Sequence, residues 1–218
     1  MGEKSGFGGA ETEMWNVARA LSSDRTFDVR VVTHIDTPDP NPLETSPRLY
    51  PVPPPSALTY NDSWLKRRKA VFRYYAMLFQ RLKQQQADIY YAKLASGEAM
   101  IVWLAARVLR SKFVFRVEHD WETNHADLTH NIFRGKASLA RVFVRCLKTA
   151  DLVIVQTTRQ AEQLRKNFGV RSTLIPNGHQ VPAPETVQDN PAVRTSVLWV
   201  GRAHPMKRPK LFLEMAMK

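Results

Sequence analysis

The chain has 218 residues with a formal net charge of +12, and 44% of them are apolar against 24% charged. That apolar share supplies a sizeable core, which excludes wholesale disorder and a purely polar nucleic-acid tail, and the length falls between one average domain and two. A single cysteine, Cys146, excludes a disulfide scaffold and points to a reducing compartment.

The opening stretch, MGEKSGFGGAETEM, has no apolar core, so no signal peptide is expected. It places four glycines within nine residues, and Glu11, Met14, Trp15, Val17, Ala18 and Leu21 follow at helical spacing. A glycine loop opening into an amphipathic helix is expected. Free N–H groups and the positive end of the helix dipole favour an anion there, and Gly8 and Gly9 let a phosphate approach the backbone. The same pair also suits a plain tight turn, and its spacing is not that of a dinucleotide fingerprint.

Residues 28–34 (DVRVVTH) alternate as a strand, and eight of the fourteen prolines between 38 and 55 predict a long surface loop without regular structure. From 64 to 86 the spacing predicts an amphipathic helix, with Leu65, Phe72, Tyr75, Phe79 and Leu82 on one stripe and most cations away from it. Then come a strand at 87–92, a mostly buried helix at 97–110 and a strand at 112–118. Residues 120–136 are expected to be a loop. A helix is expected at 138–149, a strand at 151–156, a helix at 159–168 closed by Gly169, and a strand at 172–175. The strongest apolar run, 99–109, is too short to cross a bilayer and contains Arg107.

Strands alternating with helices imply an α/β fold, a doubly wound parallel sheet with flanking helices. Residues 179–195 carry Pro182, Pro184 and Pro191 among polar residues and read as a linker. A new strand is expected at 196–200, followed by Gly201 and a helix still running at Lys218. Arg202 and Lys207 would flank the carboxyl end of that strand, where open α/β sheets bind ligands, and two cations beside a helix start suit a diphosphate. Taken singly, each also reads as a solvated surface cation.

The glycine pair with its glutamate (GGAE), the segment ADLVIVQT followed by EQLRKNFGV, the connector IPNG, and VGR-x-x-P-x-K together resemble the retaining glycosyltransferases of family 4. The resemblance implies a GT-B fold of two Rossmann-like domains: residues 1–178 as the acceptor-side domain, 179–195 as linker, and 196–218 as the beginning of the donor-binding domain. It implies transfer of a sugar, with retention, from a nucleotide-diphosphate sugar to a lipid-linked or glycan acceptor. No metal or other cofactor is expected. By position, Gly8 and Gly9 would approach the donor diphosphate, while Arg202 and Lys207 would bind its phosphates and stabilise the leaving nucleotide. His119, ending the strand FVFRVEH, would contact the transferred sugar as the catalytic residue; a partly exposed loop histidine is the plain alternative. Glu118, Asp120 and Glu122 invite a pairing of acids that the family mechanism does not require. His125 and His130 have no ligand spacing and are expected to be solvated.

The resemblance also implies a strand before the glycine pair and a longer donor domain after Lys218. The chain is therefore expected to be a fragment, truncated at both ends, with little transferase activity alone and a separately encoded C-terminal domain as a conceivable partner.

Between residues 64 and 116, twelve Lys and Arg face two acids, so the positive charge is local. Aromatics interleave with it along 64–86, as on a helix that lies on an anionic membrane; aromatics facing the core and cations facing water is the plain and commoner alternative, and both can hold at once. Lys66, Arg67, Arg68, Lys69 and Arg73 are the expected contacts, for a cytoplasmic protein peripheral on the inner face of the cytoplasmic membrane. A basic nucleic-acid-binding protein is the competing class, as is a non-catalytic remnant pairing with a separate donor domain. No helix-turn-helix, zinc finger or RNP-type motif supports nucleic acid, and none is expected as a partner.

Overall fold

A computed structural model describes residues 9–33, 47–52, 63–178 and 208–217. The chain divides into two compact units, residues 1–178 and 179–218.

In the first unit, helix α1 (Gly9–Ser22) leads to strand β1 (Arg30–Thr33), which pairs in parallel with β2 (Arg48–Pro51). Helix α2 (Trp64–Gln85) follows, and then β3 (Ile89–Lys93), helix α3 (Gly97–Leu109) and β4 (Lys112–Arg116). A 3-10 turn (Asp120–Thr123), a one-turn helix α4 (His125–Asp127) and a π turn (Leu128–Ile132) lead to helix α5 (Ala137–Lys148). Strand β5 (Leu152–Val155), helix α6 (Thr158–Phe168) and strand β6 (Thr173–Leu174) complete the unit. Strands β3, β4, β5 and β6 form one parallel sheet in chain order. Among the described residues the two sheets are separate: β1 pairs only with β2, and β3 only with β4. This is the doubly wound, Rossmann-like α/β class that alternation of helix and strand predicts.

The helix ends are legible in their chemistry. Ser63, Ser96 and Thr157 cap α2, α3 and α6 by accepting the backbone N–H of Lys66, Ala99 and Gln160. Gly169 closes α6 in the left-handed conformation (φ 69°), where a side chain is disfavoured.

The core lies where aromatic residues of β4 meet α5. Phe113 and Phe115, two residues apart and hence on one side of the strand, are enclosed, and Phe115 meets Phe143 of α5 edge-on at 5.2 Å. Burying a phenylalanine of this kind contributes on the order of 2 kcal/mol. Leu147, Leu164 and Val155 extend the core toward α6 and β5.

Three expectations need correction. The proline-rich stretch does hold regular structure, since residues 48–51 form β2. Pro51 is tolerated because it ends the strand, where a missing N–H breaks no interior rung. On α2 the buried residues are Tyr74, Leu78, Leu82 and Gln85, while Leu65 and Phe72 are 60% and 77% exposed. A 22-residue helix is about 33 Å long, more than a five-residue strand can cover, so only its second half reaches the core. Residues 120–136 are a chain of short helical turns rather than a plain loop.

The second unit is described only in helix α7 (Pro209–Ala216), with proline in its first turn and a Lys210–Glu214 pair at 3.8 Å. The expected linker at 179–195 and strand at 196–200 lie outside the described residues. Among the described residues no helix is long and apolar enough to cross a membrane.

Candidate functional site

Parallel strands end on one side, so the residues closing β3 and β4 and those just beyond them share one edge of the sheet. Lys93 is the last residue of β3, Arg116 the last of β4, and Glu118 and His119 follow β4 after Val117. Glu13 of α1 reaches the same place.

These side chains form a ring of alternating charge. Lys93 Nζ lies 2.7 Å from Glu13 Oε2 and 3.5 Å from Glu118 Oε1. Arg116 Nη2 lies 3.3 Å from Glu13 Oε1, and its Nε 3.6 Å from Glu118 Oε1. All four side chains are less than a tenth exposed. Two cations and two carboxylates cancel, which is the condition for keeping four charges out of water. Arg116 also donates from Nη2 to Asn177 Oδ1 at 2.5 Å, bringing the connector after β6 into the network. Burial raises the Tyr91 hydroxyl above its ordinary range, and the Glu13 charge pushes the same way. The ring thus joins α1, β3, β4 and the 175–178 connector at one point.

His119 is half-buried and packs edge-on against Trp121, ring centres 4.9 Å apart. Glu122, enclosed behind it, accepts the N–H groups of Glu118 at 2.6 Å and His119 at 2.7 Å through Oε2, and that of Ala95 through Oε1. Burial pushes its carboxyl up to about 7, against these donors, which favour the anion. The neighbouring turn is fastened to α6, where Asn167 donates to the Thr123 carbonyl at 2.8 Å and the Thr123 hydroxyl lies 2.7 Å from Gln163 Oε1.

Of the residues singled out in the sequence, His119 stands at this edge and Gly9 is the first residue of α1. Gly8, Arg202 and Lys207 lie outside the described residues. Lys66, Arg67, Arg68, Lys69 and Arg73 are all exposed on the first half of α2, with Arg68 stacked on Trp64 at 4.7 Å. His125 and His130 are exposed, and among the described residues no three His, Cys, Asp or Glu side chains gather as metal ligands. Sequence reasoning missed Glu13, Lys93, Arg116 and Asn177. Cations closing two successive parallel strands, and an asparagine in the connector, were the available signal.

The family model for Glycosyltransferase Family 4 matches residues 7–181, which takes in α1, both sheets and the whole charge ring. The chain belongs to glycosyltransferase family 4. A glycosyltransferase-like function follows at the level of the family, and the parallel α/β unit agrees with a GT-B domain. Comparison with curated proteins gives no match, and comparison with solved structures gives none. Within this family 4 domain the edge of β3 and β4 is where the described chemistry converges, with the helix behind the glycine pair tied into it by Glu13.

Proposed function

We propose that this family 4 chain takes part in transfer of a sugar, with retention, from a nucleotide-diphosphate sugar to a lipid-linked or glycan acceptor. His119 contacts the transferred sugar, Gly8 and Gly9 approach the diphosphate, and Arg202 and Lys207 stabilise the leaving nucleotide. The observation that carries the reading is the place of His119: beyond the carboxyl end of β4, half-buried, on a segment fixed on both sides, within a family 4 match. Charge builds on a leaving diphosphate as the glycosidic bond breaks, and preplaced N–H groups and cations lower that barrier.

The acceptor half of the proposal is attachment to an anionic membrane surface through Lys66, Arg67, Arg68, Lys69 and Arg73. Its support is that Trp64, Leu65 and Phe72 stand 64%, 60% and 77% exposed among these cations, apolar groups that gain by entering the headgroup boundary.

NMR titration of the chain with UDP-glucose, GDP-mannose and ADP-glucose tests the donor reading. At least one is expected to shift the resonances of Gly8, Gly9, His119, Arg202 and Lys207 together. Shifts scattered over other residues, or none with any of the three at millimolar concentration, overturn it. Sedimentation with phosphatidylglycerol vesicles, expected to weaken in high salt and to vanish with phosphatidylcholine alone, tests the surface.

A further inference from the structure

Glu122 has no access to solvent, so it cannot touch a substrate, yet it is the meeting point of two loops at the proposed site. Through Oε1 it accepts the N–H of Ala95 in the turn after β3; through Oε2 it accepts those of Glu118 and His119 beyond β4. These three N–H groups lie beyond the strand ends, past the last paired rung at Lys93 and Arg116. Burying a carboxyl group is costly, and so is leaving any of the three donors enclosed and unpaired. The arrangement satisfies all three with one side chain and fixes the backbone from which the imidazole projects.

We propose that Glu122 is the positioning residue for His119: by tying the loop after β4 to the turn after β3, it sets where the imidazole stands at the carboxyl edge of the sheet. This rests on the reading that His119 touches the transferred sugar. Among the charged groups nearby, Glu118 acts on Glu122 and disfavours its anion. Asp120 pairs with Arg159 of α6 at 3.8 Å, and His119, His125, Asp127 and His130 occupy the same run of turns.

Amide hydrogen exchange followed by NMR on the full chain tests the tie. In Glu122→Ala, exchange at Ala95, Glu118 and His119 is expected to rise at least tenfold while Val153 and Leu164 keep their protection. The His119 ring protons, displaced by the Trp121 ring current, are expected to move toward free-histidine values. Glu122→Gln retains one oxygen acceptor, so it is expected to restore the His119 ring shifts and the protection of Glu118 and His119, but not of Ala95. If Glu122→Ala does not fold, Glu122→Gln is decided by that pattern alone, and any other pattern overturns the proposal. Uniform acceleration throughout the chain, or unchanged protection at the three amides, overturns it too, whatever His119 does. Selective loss at the three amides, with unaltered binding in His119→Ala of whichever of UDP-glucose, GDP-mannose and ADP-glucose the wild type binds, leaves the tie standing and overturns the role given to His119.

Discussion

Glu13 and Lys93, eighty residues apart in the chain, meet at 2.7 Å with both side chains less than a tenth exposed. The pair holds α1 onto the end of β3, and Arg116 and Glu118 complete the ring around it. Glu13→Ala leaves two enclosed cations facing one carboxylate and is expected to cost about 3–5 kcal/mol in urea unfolding. Adding Lys93→Met to that variant is expected to cost at least 1 kcal/mol less than Lys93→Met alone, because the nearer of the two carboxylates beside Lys93 is already gone. A loss below about 1 kcal/mol for Glu13→Ala would mean that water reaches the ring.

At the start of α3, Gly97 is required by a neighbour. A Cβ built there falls on the Tyr75 hydroxyl and lies 2.6 Å from its Cζ, while Tyr75 is held against Tyr74 and the core. Gly97→Ala is expected to lower stability by about 1–3 kcal/mol by overpacking, although alanine is the better helix former. Combined with Tyr75→Ala, where the obstructing ring is absent, the same substitution is expected to be neutral or stabilising. Thermal melts of the four proteins check this.

Cys146 of α5 is buried in the core at 1% exposure, and burial raises its thiol to about 12. The thiolate is the reactive form, so the folded chain at neutral pH is expected to resist a thiol reagent such as DTNB and to react at once in urea. Rapid labelling of the folded chain would show that α5 opens readily.

Elements whose signal is local were legible in the sequence. Helix α6 announced itself through its threonine cap, its apolar spacing and Gly169, and β4 through the alternation that encloses Phe113 and Phe115. Strand β2 was hidden because four residues amid prolines form a strand only when β1 offers a partner. The stripe on α2 was misjudged because periodicity finds an apolar face but not how much of its length the sheet covers. At the site, the position of His119 followed from counting along a strand. The ring could not, since it depends on α1, β3 and β4 meeting in space, and the cations that close β3 and β4 mark a place without naming their partners. Glu122 was visible as one of three acids around His119, but not its burial or its three backbone donors.

That burial has a consequence for pH. The carboxyl of Glu122 is raised from its ordinary 4.5 to about 7 in the fold, so the folded chain holds this proton where the unfolded chain has released it. Where the folded state binds more protons, stability falls as pH rises. The contribution of Glu122 is therefore fully present below about pH 4.5 and is lost as pH climbs through 7, a change on the order of 3 kcal/mol. Glu122→Gln cannot titrate at this position, while every other group titrates as before. Between pH 5 and pH 8 the wild type is therefore expected to lose more stability in urea unfolding than Glu122→Gln, even though the variant starts lower through the unpaired Ala95 N–H. Parallel stability profiles for the two proteins across that range would show that the carboxyl is ionised throughout, with its three N–H donors outweighing burial.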